Sequence, residues 1–369
     1  MSAFDLIVIG GGLVGGAIAW GAAARGAAVV VLDEGDVAFR AARGNFGLVW
    51  VQSKGAGMPP YAHWSRRSAE LWPALAARMR EASGADVALE QPGGLHFCFS
   101  EAELEARADL IRRMHNESGD IGTRIVDRAE LRAMVPGIGD RVAGASFCPI
   151  DGHANPLFLL RALHSALLRA GGAYRPGHGV DLITPDGGAF IVRSGAESFT
   201  APKLVIAAGL GSRRLAPMVG LEMPVSPLRG QILVTERVKP LLHYATHILR
   251  QTAEGSVMAG DSQEDVGFDA ATTVPVTRAI AARAVMTFPA LAEARIVRMW
   301  GALRVMTPDG FPIYEQSARY PGAFAATCHS GVTLAAAHAL DLAPSILDGA
   351  LPAKFDAFKS SRFDVPARG

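Results

Sequence analysis

Cysteine is scarce in this chain: 3 residues in 369, Cys98, Cys148 and Cys328, scattered and odd in number. No C-x-x-C pair exists, which excludes thiolate zinc and iron–sulfur sites of familiar spacing. A scattered, odd set is no disulfide framework either, and it reads as small buried apolar residues in a reducing, cytoplasmic protein. Charge of one sign is also lacking. Lys and Arg number 36 against 35 Asp and Glu, a net charge of +1 with no basic block or acidic tail, which excludes an electrostatic nucleic-acid binder. Short-period repeats and low-complexity tracts are absent. Residues 6–24 contain no charge at all and are long enough to imitate a membrane span. The run also imitates a signal peptide; against both readings, Asp5 precedes it and no Lys or Arg does, so the usual basic n-region is missing. Five of the residues from Gly10 to Gly16 are glycine, poor material for a spanning helix. The run reads instead as a buried parallel strand and its helix, with no transmembrane segment.

What is present is a G-x-G-x-x-G motif in its proper setting. The apolar run Leu6-Ile7-Val8-Ile9 ends in Gly10, Gly12 and Gly15, and a second run, Val29 to Leu32, ends at Asp33. Gly10 permits the turn, Gly12 lets backbone approach a pyrophosphate, and Gly15 lets the helix pack on the sheet. A helix from about Val14 to Arg25 points free N–H groups at the phosphates, and Asp33 accepts from ribose hydroxyls. The ligand class is an adenine dinucleotide.

With 369 residues, two domains, or one large domain with an elaborated second lobe, are expected. Periodicity predicts a helix over 61–82, in which Leu71, Leu75 and Met79 share a face. A strand is expected at Leu95–Phe99, followed by a capping box at Ser100–Glu103. Pro156 and Gly171 bracket a further helix. Lys203–Ala208 reads as a buried strand closed by Gly209. From Pro224 to Met306, short β-rich runs alternate with turns and predict a second, antiparallel sheet. The chain ends in a strand over Ala323–Thr327 and a helix from about Val332 to Leu340. The nucleotide fold is therefore completed late in the chain, around an inserted strand-rich domain.

Taken together, the glycine motif, Asp33, the loop Arg43-Gly44-Asn45-Phe46-Gly47, Asp151–Pro156, Val205–Gly209, Arg229–Ile232, Gly301–Pro312 and His329–Thr333 resemble a flavoprotein amine oxidase or dehydrogenase of the D-amino-acid-oxidase and glycine-oxidase type. Within that group, Arg250-Gln251-Thr252 with Glu254-Gly255, and the ending Arg362–Val365, are most similar to the β (B) subunits of bacterial octopine and nopaline oxidases. The resemblance implies a Rossmann-like FAD-binding domain (1–84, 147–222 and 321–369) and an inserted antiparallel-sheet substrate domain (85–146 and 223–320). It implies FAD, held non-covalently. Its expected contacts are Gly10, Gly12, Leu13, Val14, Gly15, Asp33, Glu34, Arg40, Arg43, Gly44, Asn45, Phe46, Gly47, Leu48, Val180, Ala208, Gly209, Gly301, Arg304, His329, Ser330, Gly331, Val332 and Thr333. The helix opening at Ser330 would face the pyrimidine side of the flavin and favour its reduced form.

Arg304 matches the family's carboxylate-binding arginine, and a planar guanidinium grips a carboxylate with two bonds. Arg250, Tyr244, His247 and Gln251 are further substrate candidates, because an opine carries two or more carboxylates and a second cation suits it. Hydride transfer to flavin from the carbon beside nitrogen requires the neutral amine, and water then hydrolyses the imine to an amino acid and a 2-oxo acid. Relatives of this kind work with an α subunit that carries further redox centres. The alternatives are a glycine, sarcosine or D-amino-acid oxidase, an L-proline dehydrogenase β subunit, a hydrogen cyanide synthase C subunit, an inactive flavin-binding subunit, and an NAD-dependent dehydrogenase.

Overall fold

The computed structural model describes residues 4–35 and 41–364. Its centre is a six-stranded sheet, in spatial order Ile313–Gln316, Ala323–Thr327, Lys203–Ile206, Leu6–Ile9, Val29–Leu32, Ala173–Arg175. All neighbours are parallel except the edge strand Ile313–Gln316, which runs antiparallel to Ala323–Thr327. Strands Leu6–Ile9 and Val29–Leu32 are buried along their whole length, and Lys203–Ile206 along all but its first residue, which is why they read as unbroken aliphatic runs.

The uncharged stretch after the first strand is a buried helix, Leu13–Ala23, with all but one of its residues inside. Helix Pro156–Arg169 packs on one side of it and the C-terminal helical stretch on another. At Gly21 a Cβ would lie 2.2 Å from the Ala339 carbonyl oxygen, so only glycine permits that approach. No helix among the described residues is long and apolar enough to cross a membrane. Helix Pro59–Ser83 encloses the 61–82 prediction. Ser100 caps helix Glu101–Ser118 by accepting from the Glu103 N–H at 3.2 Å, while the Glu103 carboxylate accepts from Phe99 N–H at 2.7 Å.

Two four-stranded sheets form the second lobe. One has the order Leu249–Gln251, Ser256–Ala259, Ser226–Arg237, Ile296–Met306; the other has Ala245–Thr246, Gly94–Cys98, Gly144–Cys148, Arg124–Val126. They share one apolar core, in which Phe97, Leu233, Leu249 and Phe288 meet. Two expected boundaries need correction. Strand Gly144–Cys148 pairs with Gly94–Cys98 throughout, so it is not divided at 146. Strand Ile313–Gln316 pairs with Ala323–Thr327 and goes with the six-stranded sheet, ahead of the boundary set at 320. A three-stranded meander, Leu182–Asp186, Ala189–Ser194 and Glu197–Ala201, also interrupts the nucleotide half. The last helix is corrected too. Residues 331–334 are a turn, regular helix starts at Ala335, a π-helical segment covers His338–Leu342, and helix Ala343–Asp348 follows.

Candidate active site

A cavity of about 810 Å³ opens at the carboxyl ends of the central strands, where Ile9, Leu32, Ala207 and Thr327 reach it. This is where open parallel sheets bind ligands, and the volume lies near the top of the range for small-molecule sites. Of the expected cofactor contacts, Gly10, Gly12, Leu13, Val14, Asp33, Glu34, Gly44, Asn45, Phe46, Leu48, Val180, Ala208, Gly209, Arg304 and His329 through Thr333 all line it, as does His247.

The glycine turn is built for close approach. Gly10 has φ +103, and a Cβ there would lie 2.4 Å from the Ala207 carbonyl oxygen. The Asp33 carboxylate accepts from Gly11 N–H at 2.7 Å and Gly35 N–H at 2.9 Å, which fixes it beside the turn. Each oxygen retains a lone pair for a hydroxyl. Across the cavity, Gly44 packs on the second sheet, where a Cβ would strike the Ala302 side chain. Asn45 shapes the same loop by accepting from Gly47 N–H at 2.8 Å. The strand leaving it, Leu48–Val49, is pinned from two sides. The Thr333 hydroxyl donates to Leu48 carbonyl and accepts from Trp50 N–H, both at 3.1 Å. Buried Asp151 accepts from Val51 N–H at 2.6 Å and from the Gln52 amide at 2.8 Å; burial pushes its carboxyl up to about 7 against those bonds.

Arg304 arrives from the second lobe. It sits on strand Ile296–Met306, and its Nη1 donates to the Ser262 carbonyl at 2.6 Å. Gly230 on the neighbouring strand makes the room: a Cβ there would lie 2.7 Å from the guanidinium carbon. Burial lowers the Arg304 pKa, with Asp261 and Glu264 opposing. Arg229 fastens the adjoining loop through ion pairs to Glu264 at 2.7 Å and Asp269 at 2.5 Å. That loop contributes Asp261, Phe268 and Ala270 to the cavity. His247 stacks on His96 with ring centroids 3.7 Å apart, and burial together with the charges of Arg107 and Arg283 lowers its pKa to about 3, so it is a neutral wall.

Several expected residues stand elsewhere. Arg250 does not line the cavity: its Nε donates to the Phe46 carbonyl at 2.5 Å, behind the loop, so it supports that loop. Gln251 is a backbone clamp, its oxygen accepting from Leu241 and Leu242 N–H and its amide donating to Val238, Lys239 and Gly255 carbonyls. Tyr244 packs edge-on against Phe147 at 5.7 Å, filling the second lobe. Gly15, Gly47 and Gly301 serve packing, each with backbone where a Cβ would stand. Arg43 is half-buried on the loop but outside the cavity wall, and Arg40 lies outside the described residues.

The residue missed from sequence is Lys54. It lines the cavity, donating to Ser330 Oγ at 2.7 Å and standing 3.3 Å from His329 Nε2. Tyr61 donates to the same Ser330 oxygen at 3.0 Å. Burial pulls the Lys54 ammonium down to about 8, Cys328 opposing and Arg304 reinforcing. The neighbouring His329 is held well below its ordinary value by the Lys54 charge, then by burial and Arg304. Unfolded lysine ionises near 10.5. Between about 8 and 10.5 the folded chain binds fewer protons than the unfolded one, so stability rises with pH across that window and the penalty is complete below it. Lys54→Met should therefore stabilise the protein at pH 7 by about 2 kcal/mol and abolish that rise. The value is set below the ~3 kcal/mol of the full shift because the cavity screens the ammonium. Thermal unfolding from pH 7 to pH 10 checks this, and an unchanged slope in the variant contradicts it.

Fold and site together define a two-lobed dinucleotide-dependent enzyme, whose second lobe offers a fixed cation to the cofactor-facing cavity. The chain belongs to the FAD dependent oxidoreductase family, whose model matches residues 5–344. It is 45% identical over 365 residues to the B subunit of opine oxidase from Agrobacterium tumefaciens (strain Ach5), covering 98% of each chain. To the corresponding B subunit from Rhizobium meliloti it is 44% identical over 367 residues, covering 99% of each. In fold it matches the crystal structure of glycine oxidase from Geobacillus kaustophilus over all of both chains, with TM-score 0.88 at 24% identity. It is thus an FAD-dependent oxidoreductase acting on CH–NH donors.

Proposed function

We propose that the chain oxidises the C–N bond of an opine, a secondary amine flanked by carboxylates, as the catalytic subunit of a hetero-oligomer. The observation that carries this reading is Arg304, a desolvated guanidinium presented to the cavity that the dinucleotide motif opens into. The residues fit FAD: the positive φ of Gly10 and the missing side chain of Gly12 form a cradle for the diphosphate, and Asp33 stands where a ribose would bind. When bound, FAD accepts a hydride equivalent from the carbon beside nitrogen. Arg304 holds a substrate carboxylate and so fixes that carbon against the loop 44–48 and the turn 329–333. Neutral His329 and His247 line the cavity without adding positive charge. We expect FAD to be held non-covalently, and the one cysteine lining the cavity, Cys328, fits that: burial raises its thiol to about 12, which disfavours attack by its sulfur. The imine product hydrolyses to an amino acid and a 2-oxo acid. Both opine oxidase relatives are B subunits, which supports a partner α subunit that takes the electrons onward.

Anaerobic addition of octopine, nopaline, sarcosine, glycine, L-proline and D-alanine to the protein purified with its native partners tests the reading. Octopine or nopaline should bleach the flavin and yield a 2-oxo acid, and acid precipitation should release free FAD. Bleaching by glycine or proline with none by either opine would refute it.

A further inference from the structure

The cations around the cavity are not equivalent. Arg250 is committed to the Phe46 carbonyl, and Arg229 is neutralised by Glu264 and Asp269. Arg214 reaches the cavity near Val180 and donates to the Val180 and Asp181 carbonyls. Lys54 is different. Its ammonium has three N–H donors, of which Ser330 Oγ takes one and the His329 ring faces another. Among the described residues no carboxylate lies within 4.0 Å of it, and its exposed part belongs to the cavity wall. A cation enclosed without a counter-ion is costly unless an anion completes it. Arg304 is close enough to repel it electrostatically, so two positive charges face one space.

From this arrangement we infer that Lys54, oriented by Ser330, is the anion subsite for the second carboxylate of the substrate, opposite the carboxylate that Arg304 holds. The inference rests on the cavity being the amine site. It assigns to Lys54 the part that the sequence pattern suggests for Arg250. A secondary amine flanked by two carboxylates satisfies both cations at once. An amine with one carboxylate leaves Lys54 unpaired, and the enzyme discriminates against it on that ground. Ser330 and His329 hold the ammonium in place, which limits the side-chain entropy lost on binding.

The test compares N-(1-carboxyethyl)alanine with N-ethylalanine, which differ by one carboxylate, in the holoenzyme and in Lys54→Met and Lys54→Arg. In Lys54→Met the ratio of kcat/KM for the dicarboxylate over the monocarboxylate should fall by about 30-fold, the size of one charge-assisted contact. Lys54→Arg should recover part of it. Binding of glutarate and butyrate, followed by calorimetry, gives a readout independent of turnover: the preference for glutarate should fall by the same factor. Equal losses for both ligands, or none, assign Lys54 to another task and overturn the inference. Glutarate preference lost in Lys54→Met while neither amine reduces the wild-type flavin supports the anion subsite and refutes the amine-oxidation reading instead.

Discussion

Arg304→Ala should lower kcat/KM for a carboxylate-bearing amine by about a thousandfold while FAD content stays unchanged. The magnitude follows from truncating one member of a desolvated charge pair, which costs roughly 2–5 kcal/mol and leaves the substrate carboxylate without a partner. The guanidinium is preorganised: Nη1 is tied to the Ser262 carbonyl, and the group lies against Gly230, where a Cβ would intrude at 2.7 Å. Substrate therefore meets a cation already in position, and binding orients the reacting C–H. Arg304→Lys should recover little, because an ammonium offers a point charge where a fork is needed. Steady-state kinetics with the flavin spectrum of the same samples measure both quantities. A variant that oxidises opines at wild-type efficiency removes Arg304 from the substrate site.

Much of the nucleotide half is legible because its constraints are local. Strand Leu6–Ile9, the glycine turn, helix Leu13–Ala23 and strand Val29–Leu32 all fall between residues 6 and 32. Each is dictated by burial or by a steric need of glycine. The hairpin Asp186-Gly187-Gly188-Ala189 carries an equally local signal: two glycines at φ +54 and +84 make the tight turn that joins strands of matching twist. The substrate end is a different case. Arg250 and Lys54 are both basic residues in β-turn-rich surroundings, and nothing local separates them. Their roles are decided by contacts 204 and 276 residues away in sequence, with the Phe46 carbonyl and with Ser330. Side-chain direction at such positions depends on contacts between segments far apart in the chain, for which a single sequence supplies no register.

Gly15→Ala and Gly12→Ala should fail in opposite ways, although both alter one motif. At position 15 a Cβ would stand 1.9 Å from the Gly10 carbonyl oxygen and 3.2 Å from the Ala207 Cβ. The first neighbour is backbone at the end of the central strand, so no rotamer change relieves it. Helix Leu13–Ala23 must move off the sheet, and its other faces are already filled by Leu163 and Ala339. Overpacking typically costs about 1–3 kcal/mol and reaches the top of that range or beyond where the obstacle is backbone, a large fraction of a marginally stable domain's total. At position 12 the nearest heavy atom to a Cβ is that of Ala42 at 3.8 Å, an ordinary contact. Gly12→Ala therefore folds, but it puts a methyl where the diphosphate approaches the helix start, weakening FAD by about 100-fold. Thermal unfolding of the cofactor-free proteins, paired with FAD titration, separates the two. Gly15→Ala should melt far below wild type, and Gly12→Ala should melt with wild type while binding FAD poorly. Wild-type FAD affinity in Gly12→Ala would move the diphosphate away from this turn, and the rest of the proposed cofactor placement would move with it.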